Sequence, residues 1–218
     1  MKNKMILYHG SNQIIKTPTY GFGNKNNDYG VGFYLTQDKA MANVWASKNL
    51  NDGYVNEYAL NLSGLSILNL TTNTEKDILI WITILISHRF SFSEKEEKKE
   101  IIDWLIRHFG VSTDDYDILI GYRADDSYFA YSYDFVNDQL PLELLLEAMK
   151  LGKLGKQVAL ISKKAFNNLE FIDYEKIEKS SSYDSIRRQA SIEYEILKRK
   201  RSINMTYMRD VIRKYERN

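Results

Sequence analysis

The 218-residue chain has no cysteine, only two prolines and 11 glycines, and no long apolar run. Without cysteine, a disulfide framework, a thiolate metal site and a cysteine nucleophile are excluded, and a reducing, cytoplasmic location is expected. The few prolines and glycines exclude collagen-like or long disordered stretches. The longest apolar run, ILIWITILI at residues 78–86, falls short of the about 18 residues that span a membrane. We therefore expect a buried helix there and no membrane partner.

The composition is otherwise that of a folded domain rich in aromatic rings. Apolar residues make up 44 % of the chain and charged residues 27 %, both ordinary for a globular protein. Tyrosine, phenylalanine and tryptophan together make up 13 %. This length predicts one domain, with an appendage at most.

The net charge of +1 hides an asymmetry along the chain. Residues 175–218 contain 12 basic and 7 acidic residues, a net charge of +5, so residues 1–174 carry −4. We divide the chain at this point into a domain, 1–174, and a basic C-terminal helical extension, 175–218. Because its acids interleave with its bases, the extension is typical of a solvated helix packed on the domain. A nucleic-acid-binding helix is the alternative.

The hydrophobic patterns predict strands and helices in irregular order, which favours an α+β fold over a doubly wound α/β sheet. We expect strands at residues 4–9, 30–36, 54–62, 65–70, 117–122, 157–162 and 171–172. We expect helices at residues 38–49, 76–90, 94–109, 141–151 and 163–168, and one or two more from residue 175, broken near 202–204.

The first segment that could carry chemistry is the end of the first predicted strand. The chain has no G-x-x-x-x-G-K-[ST], G-x-G-x-x-G, H-E-x-x-H or G-x-S-x-G motif. His9 ends the strand and is followed by Gly10 and Ser11. Glycine allows a ligand to approach the backbone, so an imidazole and a backbone amide could meet one ligand here.

The second segment is DYGVGFYLT at residues 28–36, where glycines precede two aromatic residues. Neighbours on a strand point to opposite faces, so Phe33 and Tyr34 should separate, one ring entering the core and the other facing outward. A tyrosine facing outward beside a glycine turn could stack on a flat ligand ring. Ordinary packing between strands is the alternative interpretation.

Together the two segments resemble an uncharacterised bacterial family of the ADP-ribosyltransferase-like superfamily, often associated with toxin–antitoxin pairs. The resemblance rests on YHGS at residues 8–11 followed by DYGVGFYLT. It continues through QDKAMANVWA at 37–46, YDILIGYRADD at 116–126, KQVALISKKAFNNLEFI at 156–172 and YMRDVIRKY near the C-terminus, and so covers nearly the whole chain. It implies a split, mainly antiparallel β core with surrounding helices, and nicotinamide adenine dinucleotide (NAD) as cosubstrate.

The resemblance also implies roles for single residues. In the histidine–tyrosine–glutamate branch of the superfamily, the first histidine bonds a ribose hydroxyl, the next glycine holds the nicotinamide carboxamide through its backbone, and a tyrosine stacks on nicotinamide. These roles fall on His9, Gly10 and Tyr34. The candidate NAD-binding residues are His9, Gly10, Ser11, Gly32, Phe33, Tyr34 and Thr36.

The chain departs from this pattern at the glutamate. The strand expected to carry it begins with Gln157, which can bond a ribose hydroxyl but has no negative charge. Cleavage of the nicotinamide–ribose bond develops positive charge on the ribose, which a carboxylate stabilises. Asp125 and Asp126 follow another predicted strand and are candidates for that carboxylate, or else they cap a turn. No metal is expected.

The leading prediction is an NAD-dependent ADP-ribosyltransferase that modifies a protein or nucleic-acid target. A toxin or phage-defence role, with an antitoxin protein as partner, rests only on the association of the resembled family with toxin–antitoxin pairs. The first alternative, prompted by Gln157, is a non-catalytic module that binds NAD, another nucleotide or a partner. The second is a nucleic-acid-binding protein that uses the basic extension.

Overall fold

The fold is α+β, which confirms that part of the prediction. A computed structural model describes residues 3–47, 52–72, 74–124, 126–149, 151, 155–178 and 182–217. The strands are β1 (Lys4–Ser11), β2 (Phe33–Leu35), β3 (Gly53–Asn61), β4 (Ile67–Asn69), β5 (Ile118–Tyr122), β6 (Lys156–Leu160) and β7 (Leu169–Ile177). The helices are α1 (Lys39–Ala46), α2 (Glu75–Arg89), α3 (Phe92–Glu97), α4 (Lys99–Phe109), α5 (Asp126–Val136), α6 (Leu142–Ala148), α7 (Lys163–Asn167), α8 (Ser182–Lys198) and α9 (Met208–Glu216).

The strands form two sheets, which backbone hydrogen bonds join between β1 and the residue after β2. The first has the order β1–β3–β7 and the second β2–β6–β5–β4, and among these described strands only β4 and β5 pair in parallel. Two backbone hydrogen bonds join the sheets: Tyr8 N donates to Thr36 O at 2.8 Å, and Thr36 N donates to Tyr8 O at 2.9 Å. The end of β1 is therefore held beside β2.

The main hydrophobic core surrounds α2. Nine successive residues of this helix, 78–86, are buried, because other elements cover every face of it. Trp81 and Leu85 are fully enclosed, and the apolar side of α4 packs against the helix with Ile102 and Leu105. Burying an apolar side chain of this size contributes about 1.5–3 kcal/mol. None of the helices in the described residues is long and apolar enough to cross a membrane.

The C-terminal helices belong to the same core. Tyr194 and Leu197 of α8, and Met208 and Val211 of α9, are buried in the cluster around α2. The last strand is longer than the two residues predicted: β7 runs to Ile177 because it pairs with β3 along most of its length. The chain division chosen from charge, between residues 174 and 175, therefore falls inside a strand.

The charge asymmetry of the sequence has a structural counterpart. Basic side chains of α8, α9 and the turn between them pair with acidic side chains of the body. These pairs are Lys198–Asp134, Lys200–Glu147, Arg209–Asp138 and Lys214–Glu75, at N–O distances of 3.8, 3.2, 3.3 and 2.9 Å. The last three pairs are largely exposed and contribute about 0–1 kcal/mol each, so they orient the extension more than they stabilise it, whereas Lys198 and Asp134 are largely buried.

Two helical regions differ from the prediction. The helix expected at residues 94–109 is two helices, α3 and α4, divided at Lys98, and α3 begins with a capping box formed by Ser91 and Glu94. Helix α5 was not predicted, because its sequence, DSYFAYSYDFV, is rich in residues of modest helix propensity. Packing overrides that propensity, since Phe135 and Val136 are buried in the core.

Gly10 is required by the packing of α1 on β1. A Cβ atom at this position would lie 2.1 Å from the carbonyl oxygen of Ala42 and 2.7 Å from the backbone nitrogen of Ala46. The start of the helix is stabilised by its N-cap, because the Asp38 carboxylate accepts hydrogen bonds from the first turn. The sequence pattern suggests ligand access as the reason for this glycine, and the structure adds a steric reason.

The substitution Gly10→Ala should therefore lower the free energy of unfolding by at least about 2 kcal/mol, because α1 must move away from β1. Gly21→Ala is the matched control. A Cβ there meets nothing within 4 Å, and only the positive φ of 77° opposes it, at a cost of about 1 kcal/mol. Denaturant unfolding measures both, and equal losses in the two variants would contradict the packing role of Gly10.

Candidate functional site

A cavity of about 450 Å³ opens where the two sheets meet. Segments far apart in the chain supply its walls: the end of β1, the loop before β2, β2 itself, α1, the end of α2, the segment after β5, and β6. Its described lining is His9, Gly10, Phe22, Gly23, Asn27, Asp28, Gly32, Tyr34, Trp45, Arg89, Arg123, Ala124 and Gln157. Five of the residues predicted from sequence are among them: His9, Gly10, Gly32, Tyr34 and Gln157.

Other predicted site residues have structural contacts instead. The Ser11 hydroxyl caps the next turn, because it accepts a hydrogen bond from Gln13 N at 2.9 Å. Phe33 enters the core between the sheets, and Thr36 is buried with its hydroxyl donating to Lys156 O at 3.1 Å. Three of the seven candidate NAD-binding residues thus lie outside the described lining of the cavity.

The two aspartates proposed as the carboxylate cannot be placed in the site. Asp125 lies outside the described residues. Asp126 is the first residue of α5, and its side chain lies outside the described part of the chain.

His9 is held in one orientation at the cavity wall. Its Nδ1 lies 2.7 Å from the backbone oxygen of Tyr34. A carbonyl oxygen only accepts, so Nδ1 carries the proton and Nε2 is the acceptor of the neutral ring. The ring packs against Phe33 with centroids 4.5 Å apart. Burial lowers the pKa of His9, although the hydrogen bond to Tyr34 opposes this, so the neutral form dominates at pH 7.

Tyr34 presents a fixed aromatic ring. Its hydroxyl donates to Gly30 O at 2.7 Å and accepts from Tyr29 N at 3.1 Å. Its ring lies almost parallel to the Tyr29 ring, at an interplanar angle of 10°. Gly30 closes this turn with a φ of 76°, a conformation that favours glycine. Burial raises the pKa of Tyr34, so the hydroxyl stays protonated. As the strand alternation predicts, the ring faces away from Phe33, on the cavity side.

Asp28 lies at the centre of a buried hydrogen-bond cluster. Asp28 as a whole residue is 5 % exposed. Oδ2 accepts from Ala124 N at 2.8 Å and from Gln157 Nε2 at 2.7 Å, and Oδ1 accepts from Arg89 Nη1 at 3.2 Å. Burial raises the pKa of Asp28, and the hydrogen bonds from Ala124 and Gln157 and the charge of Arg89 oppose that rise. The sequence interpretation missed this residue, although it is the first letter of DYGVGFYLT.

Gln157 occupies the floor of the cavity and is 3 % exposed. It pairs with Gly121 across β5 and β6, and its amide nitrogen lies 3.4 Å from Tyr122 O. That carbonyl also accepts from Tyr29 and Trp81, at 2.9 and 3.1 Å. The amide orientation of Gln157 follows from these acceptors, because its nitrogen faces carboxylate and carbonyl oxygens.

Two arginines give the lining a positive balance. Arg89 ends α2 and Arg123 follows β5, so each enters the cavity from a separate element. The guanidinium carbon of Arg123 lies 4.7 Å from the centre of the Trp45 ring, a cation–π geometry. With Asp28 as the one acid in the described lining, the wall suits an anionic ligand. Sequence reasoning assigned neither arginine a role, because their partners are distant in the chain.

Phe22 stands at the mouth of the cavity, on the loop between β1 and β2. It is 86 % exposed, and glycines flank it on both sides. The loop is held at its base, where the buried amide of Asn56 accepts from Ile15 N at 2.8 Å and donates to Gln13 O at 3.1 Å. An exposed ring at the rim of a polar cavity can contact whatever enters it.

The described residues contain no cluster of three or more His, Asp or Glu side chains placed to hold a metal.

The chain belongs to the family described as proteins of unknown function, DUF3990, whose family model matches residues 5–171. No curated protein and no solved structure matches the chain. The match covers the cavity completely, since its lining runs from His9 to Gln157.

The burial of His9 makes a prediction about pH. The pKa of His9 is lower in the folded state than its ordinary 6.5. The unfolded chain therefore binds more protons just below pH 6.5, and the free energy of unfolding falls as the pH drops through that range. Between pH about 7.5 and about 5.5, the wild type should lose more stability than the variant His9→Gln. Burial also lowers the pKa of His88. Because His88 is present in both proteins, its contribution to the pH dependence cancels in the comparison. Equal losses by denaturant unfolding would contradict a lowered pKa of His9 in the folded protein.

Proposed function

We propose that the cavity binds NAD and that the protein is an ADP-ribosyltransferase of the ADP-ribosyltransferase-like superfamily. One observation carries the proposal: His9, Tyr34 and Gln157 line the same cavity. These are the positions that the resemblance assigns to the histidine, tyrosine and glutamate of the NAD site. The cavity volume of about 450 Å³ is in the range of small-molecule sites.

The geometry supports a distinct role for each wall. The rigid Tyr34 ring offers a face on which nicotinamide can stack, and the backbone of Gly10 lies at the same wall for its carboxamide. His9 is neutral and keeps Nε2 as an acceptor for a ribose hydroxyl. Arg89 and Arg123 add positive charge that suits the pyrophosphate of a dinucleotide.

The proposed reaction moves the ADP-ribosyl group from nicotinamide to an acceptor. The bond between the nicotinamide nitrogen and ribose C1′ breaks, and nicotinamide leaves with the electron pair. C1′ bonds to a nucleophilic atom of the acceptor, which releases a proton. The transition state carries positive charge on the ribose, as in other glycosyl transfers. His9 and Tyr34, each held in one orientation, would position the nicotinamide riboside for reaction at C1′. This positioning lowers the activation barrier independently of any charge stabilisation.

The acceptor in this proposal is a macromolecule, protein or nucleic acid. A toxin or phage-defence role and an antitoxin partner are also part of the proposal, and they rest on the resemblance alone. A nucleic-acid-binding function of the basic extension has less support, because four of its cations pair with acids of the body.

A non-catalytic NAD-binding module is the second candidate. The observation that favours it is Gln157, which replaces the expected glutamate and is committed to Asp28 through a 2.7 Å hydrogen bond. Such a module would bind the dinucleotide in the same cavity without breaking it.

Incubation of the wild-type protein with NAD and pools of protein, RNA and DNA should release nicotinamide and transfer labelled ADP-ribose. His9→Ala and Tyr34→Ala should each reduce the rate at least about tenfold, because each removes a contact to the nicotinamide riboside. His108→Ala and Tyr174→Ala are matched controls, since the first residue lies on α4 and the second is exposed on β7.

Transfer that persists unchanged in His9→Ala and Tyr34→Ala would contradict the site assignment. Calorimetry with NAD separates the two candidate functions. Binding without release of nicotinamide identifies the non-catalytic module, and the absence of both binding and release contradicts both candidates.

A further inference from the structure

We infer that Asp28 supplies the carboxylate of this site in place of the glutamate missing at position 157. The inference rests on the proposed function, because it names the group that faces the positive charge developing on the ribose. Nothing in the sequence patterns assigned Asp28 a role. It comes instead from the pairing of Asp28 with Gln157 at the floor of the cavity.

The position of Asp28 agrees with this role. It is the one acid among the described residues that line the cavity. Its Oδ2 lies 2.7 Å from the amide nitrogen of Gln157, so the negative charge lies one hydrogen bond away from the end of the side chain at position 157. The charge is therefore close to where a glutamate on β6 would have placed it.

The same distance makes a glutamate at position 157 unfavourable beside Asp28. A second carboxylate there would face Asp28 at hydrogen-bond range, and two carboxylates this close cannot both ionise. A glutamine has almost the same shape and donates a hydrogen bond instead. Gln157 on β6 and Asp28 on the loop thus form a hydrogen-bonded pair that carries a single negative charge.

The described contacts hold the Asp28 carboxylate in place and still allow it to accept a hydrogen bond from a ligand. Three donors face the carboxylate: Ala124 N, Gln157 Nε2 and Arg89 Nη1. Hydrogen bonds to the charged form favour ionisation and oppose the effect of burial. An ionised carboxylate accepts about four hydrogen bonds, so these three donors leave room for one from a ribose hydroxyl. A charge held in place before the reaction needs no rearrangement in the transition state.

Four proteins test the inference: the wild type, Asp28→Asn, Gln157→Glu and the double variant Asp28→Asn/Gln157→Glu. The readouts are kcat for nicotinamide release, NAD affinity by calorimetry, and thermal unfolding. Asp28→Asn should lower kcat about a hundredfold, and more than it lowers NAD affinity. Gln157→Glu should not raise kcat, because the pair still carries one charge. The double variant should recover at least about tenfold of the lost kcat, because it restores one carboxylate to the floor.

Asp117→Asn is the matched control. Asp117 is another buried aspartate whose carboxylate accepts hydrogen bonds, here from Ser66 and Ser162, but it lies outside the cavity. Its variant should keep the wild-type kcat even if it unfolds at a lower temperature. A structural role for Asp28 would likewise lower stability in Asp28→Asn without separating kcat from NAD affinity.

Two results would overturn the inference. One is a folded Asp28→Asn variant with wild-type kcat. The other is a rise in kcat of about a hundredfold or more in Gln157→Glu, which would show that the wild-type site lacks a carboxylate. This second result can be read even if Asp28→Asn does not fold, and it would leave the proposed function intact. Inactivity of all four proteins would contradict the proposed function itself, and the inference with it.

Discussion

The two backbone hydrogen bonds between Tyr8 and Thr36 are the contact on which the cavity depends. They join the first sheet to the second at the point where each carries a candidate ligand-binding residue. Because the next residue along β1 is His9, its ring reaches the backbone oxygen of Tyr34. If the sheets were separated here, the two residues that the resemblance pairs would no longer share a wall. The constraint is made by backbone atoms, so it tolerates many changes of side chain.

Around this junction, a buried polar cluster ties the remaining walls together. Asp28 connects its loop to α2 through Arg89, to the segment after β5 through Ala124, and to β6 through Gln157. Removing one partner of a buried charged hydrogen bond leaves the other unsatisfied, which costs more than the bond contributes. The cluster therefore links the walls of the cavity to one another through a single buried side chain.

The sequence predicted those parts of the molecule that local patterns encode. The apolar run of α2 and the alternation around Tyr34 depend on residues close in the chain, and so they could be read directly. Helix α5 could not, because distant packing overrides the propensity of its serines and tyrosines. Asp28 and Arg123 were missed for a similar reason. Each acquires a role only through partners more than about fifty residues away, which no local pattern reports.

A crystal structure of the wild-type protein soaked with NAD is the direct test of the proposed NAD site at the junction of the two sheets. We expect nicotinamide stacked on the Tyr34 ring, the adjoining ribose within hydrogen-bond distance of His9, and the pyrophosphate beside the arginines. We also expect the carboxylate nearest to ribose C1′ to belong to Asp28. Dinucleotide bound elsewhere on the molecule, with the cavity at the junction left open, would contradict the proposed site.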